Sequence, residues 1–149
     1  MPLWVFAHTP GAFSPEEKKD LAQAITRIYT RLNLPAFYVN VQFFEMAPSD
    51  IYVGGESLSN FTTISIHHVA RAFDSESSKQ KFLGEVDSVL NPRLQPKGIN
   101  WEYFVQEAPR ELWKINGLVP PPTGSELEKK WFRLNRPVVE EDGTVRGSL

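Results

Sequence analysis

The chain has 149 residues, 41% of them hydrophobic and 12% aromatic, which is enough apolar material for one sizeable core and too much for a disordered chain. Its 18 acidic and 16 basic residues leave a formal charge of −2 with no basic block, so nucleic acid is not an expected partner. The absence of cysteine excludes a disulfide framework, a thiol nucleophile and a thiolate metal site.

The first element is MPLWVFAH, an apolar strand with a proline directly behind the initiator methionine. Aminopeptidases commonly remove Met before proline, and removal here would leave Pro2 with a free secondary amine, a possible general base. The apolar run is about seven residues long and has no basic leader, too short for a signal peptide or a membrane span. The expectation is a soluble, cytoplasmic protein.

Pro10 and Gly11 break the strand, and Ser14-Pro15-Glu16-Glu17 has the order of a helix start: a cap, a first-turn proline and a carboxylate for a capping box. Leu21, Ala24, Ile25, Ile28 and Leu32 then recur at helical spacing, predicting a helix from about Pro15 to Leu32. After Pro35, Phe37, Val39, Val41 and Phe43 alternate with Tyr38, Asn40 and Gln42 as a half-buried strand.

The same plan follows again. Thr63 to Val69 reads as a strand, Asp74 and Ser75 offer caps, and Phe82, Val86, Val89 and Leu90 form an apolar helix face that Pro92 should stop. Ile99, Trp101, Tyr103 and Val105 alternate along a fourth strand. An offset of 61 brings Leu3 onto Ile64, Val5 onto Ile66, Ser14 onto Ser75, Leu21 onto Phe82, Ile25 onto Val86 and Ile28 onto Val89. The expected fold is α+β: two fused β-α-β units, each with a parallel strand pair, sharing a four-stranded sheet with both helices on one face. The boundaries expected are 1–61, 62–118 and a C-terminal arm over 119–149, all within one domain. Further copies of the chain would cover the other sheet face, to which Trp4, Phe6, Tyr38 and Trp101 are expected to contribute. The arm, with Pro120 to Pro122, should be extended, carry a short amphipathic piece around Leu127 to Leu134, and end in a loose tail, VVEEDGTVRGSL.

The segments PLWVFA, TTISIHHVAR, WEYFVQEAP and NGLVPPPTG, in this order and spacing, resemble the tautomerase superfamily over about Pro2 to Gly124. Within it the resemblance is to the cis-3-chloroacrylic acid dehalogenase group and its fungal-type relatives. The resemblance implies a homotrimer, no cofactor, and a site near the amino-terminal proline, which acts as base in tautomerases and as acid in dehalogenating hydratases. It places the family's proline on Pro2, its carboxylate-binding arginine on Arg71 and its active-site tyrosine on Tyr103. The helix-one histidine falls on Tyr29. Two positions depart in ways that count against dehalogenation: a second arginine falls on Asp74, and the water-activating glutamate lands near Ile115.

Each assignment has a structural alternative. Pro2 is also acceptable as the start of an edge strand. Arg71 either forks onto a carboxylate, or is a solvated arginine in a loop, or pairs with Asp74 three residues on. Tyr29 and Tyr103 either act at the enol oxygen or are structural, Tyr29 as an aromatic on the boundary of a helix face and Tyr103 as a core residue with a satisfied hydroxyl. His67 and His68 point to opposite faces of a strand and cannot share a metal, and with His8 they read as structural. Gly54-Gly55 is a turn signal, no nucleophile elbow is present, and Glu107 and Glu111 lie near the expected site entrance. The expected activity is cofactor-free keto-enol tautomerisation of a small 2-keto or enol carboxylate, with Pro2 as base, Arg71 binding the carboxylate, and Tyr103 and Tyr29 assisting. The alternatives are a non-catalytic trimeric binding protein on the same scaffold and a hydratase of unsaturated acids.

Overall fold

The structure, a computed structural model, describes residues 1–139. Strand β1 (Leu3–His8) pairs in parallel with β2 (Asn40–Glu45) and antiparallel with the long β5 (Phe61–His68), which pairs in parallel with β6 (Asn100–Glu107). The sheet order is therefore β2-β1-β5-β6, with two β-α-β units joined across the β1–β5 seam. Between the units, the two-residue strands β3 (Tyr52–Val53) and β4 (Glu56–Ser57) form a hairpin. Gly54 and Gly55 turn it at φ 61° and 85°, a conformation that a side chain at either position would strain.

Helix α1 (Pro15–Thr30) starts as its sequence dictates. The Ser14 hydroxyl accepts the Glu17 N–H at 3.2 Å, and the Glu17 carboxylate accepts the Ser14 N–H at 2.8 Å. Helix α2 (Glu76–Leu94) is capped by Ser75 rather than Asp74, and it does not stop at Pro92. Proline forfeits only its own N–H bond, and this close to the helix end the buried side chains of Leu90 and Leu94 hold the last turn in place. Leu21, Ile25 and Ile28 of α1 and Phe82, Val86 and Leu90 of α2 bury against one sheet face.

The aromatic residues expected on the uncovered face lie on the other one. Strand alternation turns Trp4 and Phe6 toward the helices, where both are fully buried and Phe6 stacks on Phe43 at 4.7 Å. Trp101 shares that side by register with Thr62, and Tyr38 is fully buried in a 3₁₀ turn, Ala36–Tyr38, that precedes β2. What the open face presents is Leu3, Val5, Gln42, Ser65 and His67, with Phe44 and Phe104 about half exposed.

The segment after β6 is more than an extended arm. It carries helix α3 (Glu126–Leu134), whose Trp131 is buried with its ring 5.9 Å from Phe37, while the Phe37 N–H bonds the Asn135 side chain at 2.8 Å. The arm thereby packs against the turn that carries Tyr38. Of the tail, residues 140–149 lie outside the described residues.

Candidate active site at the amino terminus

Pro2 is buried on the helix-covered side of the sheet, and its carbonyl accepts the Asn40 N–H at 2.9 Å. The Leu3–His67 register puts His68 across from Pro2, and Glu107 beyond it on β6. His68 is buried, stacked 4.6 Å from Phe73, with Phe82 at 4.9 Å and Tyr29 at 5.9 Å. Burial pushes its pKa down to about 4 against the opposing pull of Glu107, so the ring is neutral near pH 7.

Tyr29 reaches this end from α1. Its hydroxyl accepts the Trp4 indole N–H at 2.9 Å, and its own hydrogen has no acceptor among the described residues. Burial raises its pKa well above the phenol range, which keeps that hydrogen in place.

A second group comes from the turns. Arg110, in the 3₁₀ turn Arg110–Leu112 after β6, donates to the carbonyls of Ala70, at 2.8 Å, and Pro121. Its guanidinium lies 5.6 Å from the Trp113 ring, and Trp113 meets Tyr38 edge-on at 4.8 Å. The α-amine of Met1, half-buried beside these residues, falls from 8.0 to about 4 through loss of solvent and the nearby Arg110 charge.

Arg71 does not pair with Asp74. Two of its guanidinium nitrogens meet the two Glu128 oxygens at 3.3 Å each, and it also donates to the Thr123 hydroxyl at 2.8 Å. Glu128 is buried and accepts the Gly124 N–H at 2.7 Å as well. Asp74 is exposed and accepts from Ser75.

Tyr103 is seated apart. It pairs with Ile64 and so lies level with Phe6, four residues or about 13 Å along the strand direction from Pro2. Its hydroxyl donates to Asp87 of α2 at 2.8 Å, and burial with that carboxylate pushes its pKa up to about 12. Ile115 forms a two-bond bridge with Leu118 and packs on the core, while Glu107 accepts the Phe73 N–H at 2.9 Å.

Pro2, Tyr29 and Arg71 thus belong to one end of the fold. Sequence reasoning missed Arg110, Trp113, Tyr38 and Glu128, which join them there. Tyr38 was obscured by its place in an alternating run, and only Arg110 carried a signal, its position directly after WEYFVQEAP. A surface cleft of about 270 Å³ between the start of α1 and the end of α2 is at the opposite end of β1 and is bridged by Glu17–Lys97 and Asp20–Arg93 pairs. Among the described residues no three His, Asp or Glu side chains are grouped to hold a metal, and no helix is long and apolar enough to cross a membrane.

Two β-α-β units around a shared sheet, with a buried proline at the head of the first strand, define a protein of the tautomerase superfamily. The chain belongs to the family described as putative oxalocrotonate tautomerase enzyme, whose model matches residues 1–136. It is similar to a probable enzyme from the thermophilic fungus Aspergillus fumigatus, with 52% identity over 94% of this chain and 98% of that one and a TM-score of 0.91. It is also similar to RhCC from Rhodococcus jostii RHA1, with 37% identity over 93% of this chain and 99% of that one and a TM-score of 0.89. N1, a member of the cis-3-chloroacrylic acid dehalogenase family, shares the fold at 21% identity over 88% of this chain and 90% of that one, TM-score 0.67. No curated protein matches the chain.

Proposed function

We propose that, after removal of Met1, the Pro2 amine is the general base of a cofactor-free keto-enol tautomerase acting on a small 2-keto or enol carboxylate. The observation that carries this reading is the burial of Pro2 at the head of β1, with His68 across from it and Tyr29 5.9 Å from His68. A secondary amine at Pro2 takes a proton from the substrate carbon next to the carbonyl. The electron pair moves onto the carbonyl oxygen to form the enolate, and the same amine returns the proton in the reverse direction. Tyr29 keeps its hydrogen and offers it to that oxygen, while neutral His68 and the aromatic residues around it keep water out.

The substrate carboxylate is drawn by Arg110, which makes no ion pair among the described residues, whereas Arg71 is paired with Glu128. Hydration is the weaker chemistry, because Ile115 supplies no carboxylate to activate water. The Arg71–Glu128 pair favours a second reading, a non-catalytic binding protein on the same scaffold. The open sheet face and the family resemblance support a homotrimer in either case, and light scattering would test it against the mass of three chains.

Intact mass spectrometry of the untagged protein reads whether Met1 is removed. Enol-ketonisation rates then separate the readings. Pro2→Ala, which retains Met1 removal, should lower the rate about 100-fold or more if the prolyl amine is the base. Equal rates in wild type and variant would remove Pro2 from the chemistry.

A further inference from the structure

Among the described residues, the non-glycine positions with a positive φ are all asparagines: Asn33, Asn116 and Asn135. An asparagine amide is open to attack by the backbone nitrogen of the residue that follows it. The bulk and hydrogen bonding of that next residue decide whether the attack occurs. Asn33 precedes Leu34, which is fully buried and whose N–H donates to the Tyr29 carbonyl at 3.3 Å. Asn135 is held by its own side chain, which accepts the Phe37 N–H at 2.8 Å.

Asn116 has neither restraint. It is exposed, the next residue is Gly117, and a Cβ placed on Gly117 would meet nothing within 4 Å. The two backbone hydrogen bonds of this turn run between Ile115 and Leu118, at 2.9 and 2.8 Å. They leave the Gly117 N–H without a backbone partner among the described residues. Positive φ at both central residues, 51° and 79°, suits Asn-Gly to this tight turn, so the pair that forms the bridge is also its chemical weak point.

We propose that Asn116 is a site of spontaneous covalent modification, in which its side chain closes on the Gly117 nitrogen and the turn is converted to aspartyl and isoaspartyl forms. The Gly117 nitrogen attacks Cγ of Asn116, and the new C–N bond closes a cyclic imide. The bond from Cγ to the side-chain nitrogen breaks, and that nitrogen leaves as ammonia with the proton of the Gly117 N–H. Water then opens the ring on either side. Opening at Cγ gives aspartate, whereas opening at the Asn116 main-chain carbonyl gives isoaspartate, whose main chain runs through Cβ and Cγ.

The isoaspartyl form lengthens the chain inside the turn, so the paired bonds between Ile115 and Leu118 no longer both close. It also adds a carboxylate where the turn was neutral. Ile115 and Leu118 both pack against the core, and they lie between the Arg110–Leu112 turn and α3. Opening the bridge therefore loosens this packing and lowers stability. Neither step draws on the tautomerase reading.

The test incubates the full-length protein in warm, mildly alkaline buffer beside a synthetic peptide of residues 112–120, whose conversion sets the length of the experiment. Peptide mapping should show a gain of about 1 Da at Asn116. Enzymatic carboxyl methylation should detect isoaspartate there, with conversion at Asn33 slower by about ten-fold or more. The urea midpoint of the wild type should fall over the same period. Asn116→Gly tolerates the positive φ and removes the amide, so its midpoint should stay constant. An Asn116 still intact after the peptide has converted would overturn the proposed site. Isoaspartate at that position with an unchanged midpoint would overturn the opening of the bridge.

Discussion

Both oxygens of Glu128 meet the Arg71 guanidinium at 3.3 Å, joining residues 57 positions apart in the chain. The pair docks α3 on the end of β5, and its two members differ in exposure, 3% for the Glu128 side chain against 23% for Arg71. Removing the arginine leaves a buried carboxylate without its cation, and Arg71→Ala should cost about 3–5 kcal/mol. Glu128→Gln leaves the partly exposed Arg71 with Thr123 and solvent, and should cost about 1–2 kcal/mol. Urea denaturation measures both. The reverse order would mean that Arg71, not Glu128, is the strained partner.

The amine at the site predicts the acid limb of the rate. The pKa of the Met1 amine is lowered by burial and Arg110. If the Pro2 amine exposed by removal of Met1 meets the same surroundings, kcat/KM should stay level through pH 7 and fall only in more acidic buffer. Arg110→Gln removes the repelling charge and should move that limb upward. A wild-type limb in the ordinary α-amino range, about 7.7–8.0, would contradict a desolvated base.

His68 makes stability pH-dependent. Its folded pKa of about 4 lies below the unfolded value of 6.5, so between them the unfolded chain binds the extra proton. The stability present above pH 6.5 should be lost as pH falls toward 4, by on the order of 3 kcal/mol. His68→Gln should flatten that part of the curve of urea midpoint against pH. An unaltered slope in the variant would assign the acid sensitivity to other groups.

Tyr29 and Tyr103 should separate on mutation to Phe. Tyr29→Phe strands the buried Trp4 indole N–H, costing about 1–3 kcal/mol, and also removes a donor from the reaction, so stability and rate should both fall. Tyr103→Phe gives up one bond to Asp87, about 1 kcal/mol, and leaves kcat/KM unchanged. A Tyr103→Phe variant that kept its stability but lost its rate would put Tyr103 in the chemistry.

The sequence by itself determined the two β-α-β units, because their signals are local. Strand alternation, the Ser14 capping box and the apolar stripe of α1 each act over a few residues, and the order β-α-β twice leaves few ways to build a shared sheet. It also marked Pro2, Tyr29 and Arg71, which the fold gathers at one end. Only the tertiary structure decided which side of the sheet Trp4 and Phe6 face, since period-two alternation defines two faces and does not say which one the helices cover. It alone decided that Arg71 meets Glu128 rather than Asp74. It also brought Tyr38, Trp113 and Arg110 together from opposite halves of the chain, a contact set by docking rather than by spacing.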